Sequence, residues 1–173
     1  MGLLNEVASW FRKRPAAGPA PDASAHREIV SLLTPAQVQT LGVLPSFAIC
    51  GAYEECRGER VFRENRAFVI LMQAAIARFG AGDAALAEAA RRQRQGYVYV
   101  IDGRTPEGAA GAVPPQDIVG GFAIRDGALL PGGYEPNPAH RLVTADGLFK
   151  LPGAMEAFIV AEIFRAATEL ARD

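Results

Sequence analysis

The sequence is poor in the residues from which reactive sites are usually built. Its 173 residues include two cysteines, two histidines and one tryptophan. Cys50 and Cys56 have no further Cys or His nearby at a metal-ligand spacing. Read as part of a helix, they would stand about 9 Å apart along its axis, too far for a disulfide, so two reduced thiols are expected. With only His26 and His140, a His-based metal site would draw two imidazoles from distant positions. No metal and no cofactor is therefore expected. Gly80 and Gly82, like Gly108 and Gly111, match neither the dinucleotide fingerprint nor the P-loop, and no serine lies in a nucleophile elbow.

Charge of one sign is lacking too. The formal net charge is −1 and the pI about 6.1, without the basic excess of a dedicated nucleic-acid binder. Long hydrophobic runs are absent. The longest, Ala67 to Ala77, is interrupted by Gln73 and is far short of the ~20 residues of a membrane span. The start, Met1-Gly2-Leu3-Leu4-Asn5-Glu6, has no basic region followed by a sustained apolar run. A cytoplasmic location without integral membrane insertion is the expectation.

Half of the residues are hydrophobic, enough for a core without disulfides or metal. The first fourteen residues predict an amphipathic helix, with Leu3, Leu4, Val7, Trp10 and Phe11 on one face and Arg12, Lys13 and Arg14 at its end. Pro15 to Pro21 is a tether composition, so residues 1–22 are read as an amphipathic helix plus a tether, which folds back or self-associates, docks on a partner or lies on a membrane surface, and 23–173 as one domain. Helices are predicted over about 24–33, after Thr34-Pro35-Ala36-Gln37, over 45–57, over 64–79, and from Asp83 to about Gln95. Arg57, Arg60, Arg63 and Arg66, interleaved with Glu55, Glu59 and Glu64, then read as a solvated helix face.

At Tyr97 the pattern turns to strand. Tyr97–Ile101 and 118–125 are β-branched and aromatic, and Asp126-Gly127 predicts a two-residue hairpin into 128–131. Asp146-Gly147 predicts a second, between strands 141–145 and 148–151. A helix from about Ala154 to Ala171 should cover the sheet. The fold class is α+β: N-terminal helices, then an antiparallel β-meander with Asp-Gly hairpins, then a C-terminal packing helix.

Two irregular connections, 103–117 and 132–140, are where a site is expected. The second supplies the candidate binding residues Tyr134, Glu135, Asn137, His140 and Arg141, with Asp146 across the next hairpin. His140 with Glu135 or Asp146 would make a base with an orienting carboxylate; equally, Asn137 starts a turn and His140 bonds a loop carbonyl. Because catalytic residue types are scarce, the expectation leans away from an enzyme. It is a protein-interaction or regulatory module that binds a protein partner or a second copy through the sheet-side loops or the N-terminal helix. The alternative is a small enzyme or ligand-binding domain with its site near His140 in the 132–146 region. A deep pocket uniting His140, a carboxylate and Tyr134 would favour that alternative.

Overall fold

The structure, a computed structural model, describes residues 27–104 and 113–171. The N-terminal segment with Leu3, Leu4, Val7, Trp10 and Phe11, the tether, and the middle of the 103–117 connection lie outside the described residues. The described chain is α+β, with four α-helices and three antiparallel sheets. It divides into two compact units, one of residues 27–74 and 163–171, the other of the described residues within 75–162.

The first unit opens with β1 (Glu28–Ser31), α1 (Pro35–Leu41), β2 (Ile49–Cys56) and β3 (Glu59–Glu64), which form a sheet in the order β1-β2-β3. This corrects the reading of 24–33 and 45–57 as helices, and the order with helices leading. Ile29 and Val30 suit a pleated surface, and β2 finds partners on both edges: Tyr53 faces Glu28 on one side and Phe62 on the other. Gly51 lets the hairpin close, because a Cβ there would run into the Phe62 ring and the Arg63 carbonyl. Arg57 and Gly58, with φ of 54° and 80°, form the turn between β2 and β3.

The arginines are redistributed accordingly. The helical Glu59–Arg63 pair cannot form on a strand. Instead Arg63 approaches Glu54 at 3.9 Å, while Arg60 pairs with Glu28 and sets its guanidinium 4.0 Å above the Tyr53 ring. Cys50 and Cys56 are six strand residues apart, about 20 Å, and both are free thiols. Burial pushes the Cys50 thiol up to about 12.

α1 begins with the capping box that Thr34 and Gln37 predict: the Thr34 side chain accepts from the Gln37 amide, and the Gln37 side chain accepts from the Thr34 amide. Asn65, just ahead of α2 (Arg66–Gly80), accepts from the Ala67 amide and donates to the Ser46 and Ile49 carbonyls.

The second unit contains the end of α2, α3 (Ala84–Gln93), β4 (Gly96–Ile101), β5 (Ile118–Arg125), β6 (Ala128–Pro136), two short strands, and the start of α4 (Gly153–Leu170). The main sheet runs β4-β5-β6. Strand alternation sends Val98, Val100, Phe122 and Ile124 inward. α3, capped by Asp83, lays Leu86, Ala89 and Ala90 against Val98, Ile124 and Leu129. Asp126 and Gly127, with φ of 52° and 81°, lie between β5 and β6. β6 extends five residues beyond the expected 131, to Pro136.

The short pair is β7 (Val143–Thr144) and β8 (Gly147–Leu148), with Thr144 opposite Gly147. The turn residues are thus Ala145 and Asp146, and Gly147 already belongs to the strand. This corrects the expected Asp146-Gly147 turn. The expected strand ends are drawn off as well: Arg141 N–H donates to the Gln116 carbonyl, and Lys150 N–H donates to the Asp102 carboxylate. No single described helix is long and apolar enough to cross a membrane.

Gly80 fixes how the end of α2 meets the sheet in this unit, since a Cβ there would enter the Phe122 ring. Phe122 is buried and rigidly packed. Gly80→Ala is therefore expected to cost about 1–3 kcal/mol by overpacking, more than the helix propensity it gains, about 1 kcal/mol at most. Urea unfolding of the two proteins would measure the difference, and an unchanged or higher midpoint would refute this packing account.

Candidate functional site

Two features of the second unit carry polar chemistry. One is buried. β4 ends at Ile101, and the next residue, Asp102, is 0% exposed. Its Oδ1 accepts from the Arg104 and Lys150 amides at 3.1 and 2.8 Å. Its Oδ2 lies 2.9 Å from the Arg104 guanidinium and 3.2 Å from His140 Nε2. The Arg104 side chain is also fully buried, and the same guanidinium nitrogen lies 3.3 Å from Asp117 Oδ1. Its N–H groups further donate to the Thr144 hydroxyl and to the Gly147 and Arg141 carbonyls, at 2.7–3.0 Å. Residues 102–104, 117 and 140–150 therefore meet on one arginine and one aspartate.

Burial raises the Asp102 carboxyl. The His140 hydrogen bond, the Lys150 and Arg104 amides and the Arg104 charge outweigh it and leave the carboxyl below its ordinary value of 3.8. The His140 side chain is only 4% exposed and packs edge-on against Phe149, with ring centroids 6.3 Å apart.

The second feature is an open groove of about 390 Å³ on the outer face of the β4-β5-β6 sheet. Alternation points Tyr97 and Tyr99 outward from β4, and their rings stack at 6.1 Å with 15° between the planes. Tyr99 is 55% exposed. Register places Tyr99, Gly121 and Glu135 in one row across the three strands. Gly121 lets both rings lie over the middle strand: a Cβ there would be only 3.1–3.2 Å from each of them. The Tyr97 hydroxyl donates to Glu135 Oε1 at 2.8 Å, and this bond together with the carboxylate charge pushes the Tyr97 phenol up. Pro115, Pro136 and Pro138 line the rim, and no lysine or arginine lies among the lining residues.

Asn137 belongs to both features. It lines the groove, and its side-chain amide donates to the Pro115 and Ile118 carbonyls at 2.7 Å each. Its Oδ1 accepts from the Ala139 amide, and its own carbonyl accepts from the His140 amide. The rim of the groove is thereby tied through one side chain to the turn that delivers His140 to the buried cluster.

The candidates drawn from 132–146 thus separate. Glu135 and Asn137 line the groove. Tyr134 points to the opposite face, where burial raises its phenol and its ring meets Phe122 at 4.7 Å. His140 pairs with Asp102, while Glu135 bonds Tyr97. The Arg141 side chain closes its own loop on the Pro138 and His140 carbonyls. Asp146 sits in the β7–β8 turn, its amide donating to the Thr144 hydroxyl. Asp102, Arg104, Asp117, Tyr97 and Tyr99 were not among the candidates. An available signal was Asp102-Gly103-Arg104 directly after a strand, where two opposite charges must either reach water or find partners.

Among the described residues no group of three or more His, Cys, Asp or Glu is placed to hold a metal ion. No family model, curated protein or solved structure matches the chain.

Removing Arg104 would leave Asp102 buried without its cation. Arg104→Met is expected to cost about 3–5 kcal/mol of stability, read by denaturant unfolding; a loss under about 1 kcal/mol would mean the cluster does not hold the fold. The pH dependence has a definite sign. A carboxyl held lower in the folded than in the unfolded chain contributes stability that is full above its unfolded value, about 3.9. That stability is lost as pH falls through the folded value. Asp102→Asn is thus expected to flatten the decline of unfolding free energy below about pH 4, and an unchanged pH profile would contradict the assignment.

Proposed function

We propose that this protein is a non-enzymatic protein-interaction module that binds a partner segment across the outer face of β4-β5-β6. The observation that carries the reading is the division of chemistry between the two features. The imidazole–carboxylate pair suited to proton transfer is buried, with Asp102 0% and His140 7% exposed. The groove open to a ligand is lined by tyrosine, proline, glycine and one carboxylate. Exposed tyrosines are strong contributors to binding because they present a large rigid area at low entropic cost. The Tyr134 ring is on the inner side of the sheet against Phe122, away from the groove. In this reading Asp102, Arg104, Asp117 and His140 fix the loops that frame the groove.

The N-terminal segment with Leu3, Leu4, Val7, Trp10 and Phe11 is proposed as a second docking element, on the strength of the helical spacing of these apolar residues in the sequence and the Pro-rich tether composition that follows. A cytoplasmic setting fits the two free thiols, Cys50 and Cys56.

Selection of a displayed random peptide library on the full chain tests the proposal. Enriched peptides are expected to bind the wild type and to lose about tenfold or more in affinity with Tyr99→Ala, the scale of one aromatic hot spot. Circular dichroism melting would verify that the exposed substitution leaves the fold intact. Failure to enrich any sequence, or equal affinity for both proteins, would overturn the reading.

A further inference from the structure

Resting on that reading, we propose that the groove takes a cationic side chain, arginine in preference to lysine, from an extended proline-containing segment of a partner protein. Three observations lead there. Among the described residues the lining carries one carboxylate, Glu135, and no basic side chain. Among the described residues its carboxylate is engaged through Oε1 by a neutral phenol, Tyr97, and by no basic group. A carboxylate beside two tyrosine rings is a complementary setting for a guanidinium, whose plane stacks on an aromatic face while its N–H fork meets the carboxylate.

The same chain builds this arrangement internally. On the β1-β2-β3 sheet, Arg60 lies 4.0 Å above the Tyr53 ring and pairs with Glu28, and Glu28 and Tyr53 are direct neighbours across β1 and β2. On the β4-β5-β6 sheet, Tyr99 and Glu135 lie in one cross-strand row, separated by Gly121. The tyrosine and the carboxylate are present, and among the described residues no arginine joins them; the edges of the Tyr97 and Tyr99 rings lie over Gly121 between them. The second part of the specificity comes from the rim. Pro115, Pro136 and Pro138, together with Tyr99, form an apolar border, and an extended proline-containing chain suits such a border because little conformational entropy is lost when it docks.

Tyr97 then acts as a gate of modest strength. Its hydroxyl holds Glu135 in the empty groove, and an arriving guanidinium has to share or replace that hydrogen bond. Tyr97→Phe keeps the ring and removes the donor, so it is expected to bind a cationic peptide as well as the wild type or better.

The probe is the peptide acetyl-Pro-Pro-Arg-Pro-Pro-amide, titrated into the full chain alongside the same peptide with citrulline in place of arginine. Citrulline keeps the shape and removes the charge. The arginine peptide is expected to bind, and more tightly than the citrulline peptide by about tenfold. Its affinity should fall by a similar factor with Glu135→Gln and with Tyr99→Ala, and weaken as salt is raised. Equal binding of the two peptides, or no binding of either, would overturn the cation assignment. If the peptide library yields neutral sequences that Tyr99→Ala rejects, the groove remains the docking surface and only the cation assignment falls. If no library peptide depends on Tyr99, both fall together.

Discussion

A guanidinium does not leave water without carboxylates for its charge and acceptors for its N–H groups. The Arg104 side chain, fully buried, meets most of that demand with Asp102, Asp117, the Thr144 hydroxyl and two main-chain carbonyls, its Nε being left without an acceptor among the described residues. The geometry this imposes is unusually wide in sequence. The end of β4, the start of β5 and the 137–150 stretch all have to arrive within hydrogen-bond reach of one side chain. That stretch has little ladder of its own, since β7 and β8 contain two residues each. Side chains therefore do there what strand pairing does in the rest of the sheet.

Such a cluster gains little net stability over a well-packed apolar core, because desolvating its charges costs nearly as much as their attraction returns. What it confers is uniqueness of arrangement. The observed placement of 137–150 brings partners to both Asp102 oxygens and to the Arg104 guanidinium at once. Asn137 links that constraint to the surface by donating to the Pro115 and Ile118 carbonyls beside the outer groove. The polar groups are thus divided by depth: Asp102, Arg104, Asp117 and His140 are buried, and Tyr97, Tyr99 and Glu135 line the outer groove.

Much of this architecture is written locally. Thr34, Pro35 and Gln37 specify the start of α1, Asp83 the start of α3, and Tyr97 to Ile101 a strand, because each is decided by the residue's own neighbours. The first sheet is not written that way. Residues 45–57 contain no run of alternating apolar residues, and Gly51 and Cys50 are small side chains compatible with either state. Their strand conformation is set by partners far along the chain: Asn65 N–H bonds the Cys50 carbonyl, and Phe62 fills the space over Gly51. The site follows the same rule. The loops 103–117 and 132–140 could be marked as irregular, and His140, Glu135 and Asn137 as polar. Which carboxylate His140 would meet depended on the 38-residue separation between Asp102 and His140, which no local pattern encodes. Tyr97 and Tyr99 were legible as strand residues. Their role at the surface appears only once the register sets them beside Gly121 and Glu135.

The central claim is that the groove is the working surface and the buried cluster its support. The most direct measurement is a backbone-amide chemical-shift titration of the full chain with a peptide selected on it. The account predicts perturbations concentrated at residues 97–101, 118–121 and 135–138, with His140 and Arg104 nearly unmoved. Shifts centred on Arg104 and His140, with Tyr99, Gly121 and Glu135 unaffected, would contradict it.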